Sequence, residues 1–209
     1  MKLPEFPELQ FDSEKHQYIL NKPELSLNLP AVSTIMRFLS REVYGQIDPY
    51  ILEKAAARGT AVHDAIESIN KYGWSEHESD IEGYMLAYEK WRNQMNPKHI
   101  ASEFRVYHKS LLYAGTIDEI CTFDDTPPGM VDLTDYKTST SLFPLLAYIQ
   151  LSAYSEALRS FGIAVNKAYV LHLKDGAEFE FIQVPDLRKQ FLLFQMCAGL
   201  HAATLKMKG

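Results

Sequence analysis

The hydrophobic period of the chain changes several times, and each change marks an element. Apolar residues recur at three- and four-residue spacing over 49 to about 71 (Ile51, Leu52, Ala55, Val62, Ile66, Ile69), which predicts a helix interrupted at Gly59. A second helix is predicted over 78–94, with Ile81, Met85, Tyr88 and Trp91 along one side. The period then drops to two: SEFRVYHK (102–109), LLYAGTIDEICTF (111–123) and VDLTDYKTS (131–139) read as three strands. FPLLAYIQLSAYSEALRSFG (143–162) returns to a helical period and ends at Gly162. AVNKAYVLHL and AEFEFIQV form a hairpin across Lys174, Asp175 and Gly176. A last helix, roughly 186–207, carries Leu187, Phe191, Phe194, Gln195, Ala198 and Leu205. Upstream, FDSEKHQYILNKPELSLNLPAVSTIM predicts a hairpin turning near 21–24 and a helix that starts at Ser33 or Thr34. This order predicts an α/β fold, a central mixed β-sheet flanked by α-helices. We expect one domain over 1–209, with the hairpin at about 10–30, a core at about 50–184 and the final helix at about 186–207.

Composition changes that picture little. Among 209 residues, 46% are apolar and 23% charged, an ordinary balance for a chain that closes its own core. No run approaches the roughly 18 to 20 apolar residues of a membrane span, and MKLPEFPELQ lacks the apolar centre of a secretion signal. Two cysteines, Cys121 and Cys197, are too few for a disulfide framework, so a reduced, cytoplasmic setting is expected. The formal net charge of -6 argues against coating nucleic acid by charge alone. It leaves room for an enzyme that grips DNA locally and keeps carboxylates for metal. P-loop, H-E-x-x-H and G-x-S-x-G motifs are all absent. His16, His77, His99, His108, His172 and His201 are scattered, and Tyr107, Tyr113 and Tyr136 are candidates for stacking on unpaired bases.

The informative stretch is GTIDEICTFDDTPPGMVDLTDYKTST, residues 115–140. Strand alternation puts Val131, Leu133, Asp135 and Lys137 on one side, so an apolar face ends in an acid and a base. The two could form an ion pair or reach solvent at a strand end. Asp118 shares a face with Thr116 and Ile120, and an antiparallel pairing through the turn at 124–129 sets Asp118 opposite Asp135. Two adjoining carboxylates raise each other's pKa unless a cation separates them. Hard oxygen ligands suit Mg²⁺ or Mn²⁺, and Lys137, one pleat beyond, could orient an attacking water or stabilise charge on a phosphate. On the first long helix, His63 and Glu67 share a face, with Gly59 one turn earlier. Gln150 and Tyr154 share a face of the 143–162 helix and could contact substrate or brace the site. Glu103, fifteen residues before Asp118, shares its strand face with Arg105, Tyr107 and Lys109, which reads equally well as a solvated face.

These motifs together resemble the PD-(D/E)XK nuclease superfamily, in its RecB-like, phage-type exonuclease branch. GTID followed by D-Y-K resembles the superfamily's active-site core, RGTAVHDAIE (58–67) the branch's histidine helix, and QLSAYSEAL (150–158) its Q-x-x-x-Y helix. The N-terminal hairpin and following helix resemble those of small phage-type exonucleases, so the likeness runs from about 11 to 160. The resemblance implies a restriction-endonuclease-like core and a metal-dependent DNA exonuclease of phage-type recombination or repair. It implies catalytic Asp118, Asp135 and Lys137. One or two Mg²⁺ or Mn²⁺ ions would be held by His63, Asp118, Asp135, Glu103 and the Tyr136 backbone carbonyl. Gln150, Tyr154, Arg58, Gly59 and Thr138 would support substrate or site. Implied partners are DNA, a single-strand annealing protein and further copies of the chain, with no membrane. Two widely spaced cysteines depart from the relatives that carry an iron–sulfur cluster, so none is expected. The alternative is a non-catalytic descendant that binds nucleic acid or protein; such a chain usually loses the lysine or one acid, and here the set is complete.

Overall fold

The computed structural model describes residues 3–13, 15 and 17–207. Met1, Lys2, Glu14, His16, Lys208 and Gly209 lie outside the described residues, and with them both ends of the predicted 1–209 span and part of the FDSEKHQ stretch. Three short strands, β1 (Leu9–Asp12), β2 (Gln17–Lys22) and β3 (Leu25–Leu29), form an antiparallel sheet. Helices α1 (Val32–Ile35), α2 (Arg37–Tyr44), α3 (Pro49–Tyr72) and α4 (Glu82–Met95) follow, with a single 3-10 turn at Ser79–Ile81 before α4. Then come β4 (Lys98–Tyr107), β5 (Ala114–Thr122), β6 (Met130–Lys137), α5 (Pro144–Arg159), β7 (Ala164–Lys174), β8 (Glu178–Gln183) and α6 (Leu187–Lys206).

The chain is mixed α/β, with a five-stranded sheet ordered β4-β5-β6-β7-β8. All its pairings are antiparallel except β6 with β7, which are parallel and joined by the α5 crossover. β6 is therefore interior and hydrogen-bonded on both edges. Alternation along the strands feeds two cores. Val131, Leu133, Ala168 and Val170 pack with α1, α5 and α6. Tyr136, Tyr169, Leu171 and Leu173 pack with α3 and α4.

Local chemistry sets the long helices. Asp48 accepts the Tyr50 N–H at the start of α3, Pro49 fills its first turn, and Gly73 closes it at φ 85°. Asp186 caps α6 by accepting the Lys189 N–H. Four expectations need correction. The N-terminal hairpin is a three-stranded sheet, because Leu9–Asp12 adds a strand against β2. The helix expected from Ser33 or Thr34 is divided at Met36, and a separate helix, α2, follows, half-burying Leu39, Val43 and Tyr44. Helix α1 begins at Val32, ahead of Ser33 and Thr34. Helix α3 runs through Gly59 without a break: a Cβ there would meet only Thr138 Oγ1 at 3.6 Å, an ordinary contact, and one glycine costs a long helix only about 1 kcal/mol.

Candidate metal centre

The candidate site lies where β5 and β6 leave their ladder. Glu119↔Thr134, Ile120↔Leu133 and Cys121↔Asp132 are paired, and the same register continued by one rung sets Asp118 across from Asp135. At that rung a side chain replaces a ladder bond: the Tyr136 N–H donates to Asp118 Oδ2 at 2.8 Å. The next peptide group acts on α3, where His63 Nε2 lies 3.3 Å from the Tyr136 carbonyl oxygen. A proton on Nε2 donated to that carbonyl leaves Nδ1 as the open nitrogen. Nδ1 stands 3.7 Å from Glu103 Oε1 and 3.8 Å from Asp118 Oδ1. His63, Glu103 and Asp118 each offer a ligand atom within 4.8 Å of the others, from three separate elements. The donor set, one imidazole and two carboxylates, fits a divalent cation.

Glu103 reaches this group because the backbone of β4 turns locally at that residue. Its φ is 48°, left-handed for a non-glycine residue, in a strand already shifted by a bulge between His99 and Ala101. Such a conformation costs on the order of 1–3 kcal/mol and persists where the surroundings over-determine it. Glu103 thus departs from simple alternation with its neighbours while keeping partial exposure. Arg105 lies over the Phe11 ring, Tyr107 is buried and donates to Glu8, and Lys109 lies beyond the strand over Phe161.

Asp135 stands outside the compact triplet. It is buried, and neither carboxylate oxygen makes a well-directed hydrogen bond, although Lys137 Nζ sits 2.5 Å from Oδ2. Its same-face neighbour two residues on thus holds it as an ion pair, one of the two arrangements that the strand pattern alone allowed. Burial pushes the Asp135 pKa up to about 6, with Lys137 opposing and the Asp118 charge adding. For Lys137, burial disfavours the ammonium, but Asp135 and Asp118 outweigh it and hold the pKa above the ordinary lysine value. For His63, burial likewise disfavours charge, but Asp118 and Glu103 prevail over it and over Lys137, and the pKa rises to about 9.

The residues expected to support the site lie around it and contact one another. Arg58 Nη2 donates to the Thr138 carbonyl at 3.0 Å and its guanidinium lies over the Tyr84 ring, tying α3 to the chain just past β6. Gln150 Nε2 donates to the Tyr154 phenol at 2.9 Å. Tyr154 lies against Gly115, where a Cβ would come within 2.4 Å of the ring, so glycine is required there for contact. A cavity of about 150 Å³ beside Lys137 is lined by Ser33, Ser40, Tyr44, Ser139 and Gln150. Glu67, on the His63 face, is occupied by Lys71 at 2.6 Å. Sequence reasoning passed over Glu119, which is buried, accepts the Tyr136 phenol at 2.5 Å and lies 3.3 Å from His99 Nδ1. An acid alternating onto the Cys121 face was the available signal. Tyr107, Tyr113 and Tyr136 are all buried, so none is free to stack on a base.

Among the described residues no helix is long and apolar enough to cross a membrane. No family model matches the chain. Part of it is similar to extended synaptotagmin-1 of Rattus norvegicus, 30% identical over 101 residues that cover 46% of this chain and 9% of that protein. The Mus musculus protein is 27% identical over 155 residues, covering 68% and 14%. The chain thus spans only 9% and 14% of the length of the curated relatives it matches. Among solved structures it is similar to SSO0001, with a TM-score of 0.31, 13% identity and 56% of each chain covered. It is also similar to the alkaline exonuclease LHK-Exo from Laribacter hongkongensis, with a TM-score of 0.35, 10% identity and 70% and 78% covered. At these levels neither structural likeness bears on chemistry, which rests on the residues of the site itself.

Proposed function

We propose that this chain is a metal-dependent deoxyribonuclease that hydrolyses phosphodiester bonds, with His63, Glu103 and Asp118 holding Mg²⁺ or Mn²⁺ and Asp135 and Lys137 completing the centre. One observation carries the reading: three ligand atoms from α3, β4 and β5 lie within 4.8 Å of one another beside the Asp135–Lys137 ion pair. When bound, the cation supplies positive charge to the phosphate and acidifies water. Lys137, kept protonated by two carboxylates, cannot accept a proton at neutral pH. Its role is therefore electrostatic: it donates to a phosphate oxygen or orients the attacking water. Asp135 fixes that ammonium in direction. Tyr154, whose pKa burial drives well above the ordinary phenol value, remains a neutral donor, and with Gln150 it offers hydrogen bonds to a substrate phosphate.

Exonuclease action, in recombination or repair, follows from the motif resemblance. Purified protein with Mg²⁺ or Mn²⁺ is expected to degrade linear duplex DNA and to leave covalently closed circles intact. Lys137→Ala and Asp118→Ala abolish this activity. A Lys137→Ala protein as active as the unsubstituted chain would refute the assignment, and digestion of closed circles would replace exonuclease with endonuclease.

A further inference from the structure

Helix α6 has two apolar stripes where a surface helix normally has one. Leu187, Phe191, Phe194 and Ala198 pack into the core. Leu192, Met196 and Leu200 stand 61%, 70% and 45% exposed on a second face, and Leu205, past the last core residue Ala198, stands 59% exposed. Facing the second stripe, α1 and α2 present Phe38, itself 57% exposed, with Ile35 and Leu39 beside it. A groove of about 770 Å³ runs between these walls. From Met196 to Leu205 it follows ~14 Å of helix at about 1.5 Å per residue, the length of two to three turns of a partner helix.

The charge of this groove is one-sided. Arg37, Arg41 and His201 line it, and no carboxylate does. Neither guanidinium has an ion pair or a side-chain hydrogen bond among the described residues, in a chain whose formal net charge is -6. Exposed Phe, Met and Leu beside unpaired arginines make the composition of a recognition surface. A phosphate backbone would answer the arginines and leave the apolar floor wet. A purely apolar segment would fill the floor and leave the arginines unanswered.

We propose that the groove docks an acidic amphipathic helix of a partner protein, with its apolar stripe seated between α2 and α6 and its carboxylates on Arg37 and Arg41. The assignment is independent of the nuclease reading. Fluorescence anisotropy of the full chain against two synthetic helical peptides of about 14 residues tests it. Both peptides carry Leu and Phe at helical spacing; one has Glu and the other Lys at the flanking positions. The Glu peptide binds at least about tenfold more tightly, with an affinity that falls as salt rises. Arg37→Glu with Arg41→Glu reverses the order, the milder Arg41→Gln weakens only the Glu peptide, and Phe38→Asp removes binding of both. All these positions are exposed, so circular dichroism melts stay unchanged. Equal affinities, no binding by either peptide, or displacement by a single-stranded oligonucleotide overturns the proposal. A concentration-dependent dimer abolished by Phe38→Asp overturns it too, in favour of a second copy of the chain.

Discussion

His63 stands among acids, and its charge follows from the carboxylates of Asp118 and Glu103 beside it. In the metal-free protein Asp118 and Glu103 overcome burial and lift its pKa from 6.5 to about 9. The imidazolium is thus favoured in the folded state relative to the unfolded one. Its stabilising contribution is complete below about pH 6.5 and is lost as pH rises through about 9. Urea unfolding in EDTA between these limits is expected to show stability falling with pH, and His63→Gln is expected to flatten that fall. An unchanged slope in His63→Gln would mean that the acids do not act on this ring. The juxtaposition of Asp118 and Asp135 was legible from the sequence, since counting residues from the turn gives the register. Two neighbouring facts were not. The Asp135–Lys137 ion pair at 2.5 Å was among the alternatives, but no spacing rule decides between an ammonium two residues away and a cation shared with Asp118. Glu103 turns in on a left-handed φ, which alternation cannot report.

Helices and strands were legible wherever a period ran long enough to be counted. Helices α3 and α5 span 24 and 16 residues, and their apolar spacing identified them. The β5 and β6 strands kept a two-residue beat. Helix α2 has only eight residues, none fully buried, and β1 offers one buried residue, Leu9, in a strand of four, so each was too short for a period to be counted. Contacts between elements were the hardest to foresee. Gly83, in the first turn of α4, lies under the β7–β8 turn, and a Cβ there would stand 1.6 Å from the Asp175 carbonyl oxygen. Helix propensity alone would make Gly83→Ala stabilising by about 1 kcal/mol. The collision is with backbone, which cannot swing aside, so a net loss of ~1–3 kcal/mol in urea denaturation is expected. A gain would show that the turn does not rest on α4.

For the molecule as a whole, a divalent cation that binds only the folded chain must stabilise it. At a hundredfold excess over its Kd, Mn²⁺ is expected to add about 2.7 kcal/mol. Calorimetry would show the melting temperature rising in the unsubstituted protein and not in Asp118→Asn, which separates metal binding from any assay on DNA. Loss of activity with the thermal shift intact would place the fault in Lys137 or in substrate contacts. The candidate centre is fastened largely by one residue's peptide groups: Tyr136 N–H holds Asp118, and its carbonyl meets His63. Any amino acid but proline offers those same two main-chain atoms. The clasp itself is indifferent to the side chain, so what holds this position to tyrosine is the buried phenol's bond to Glu119 on the far side of the same residue.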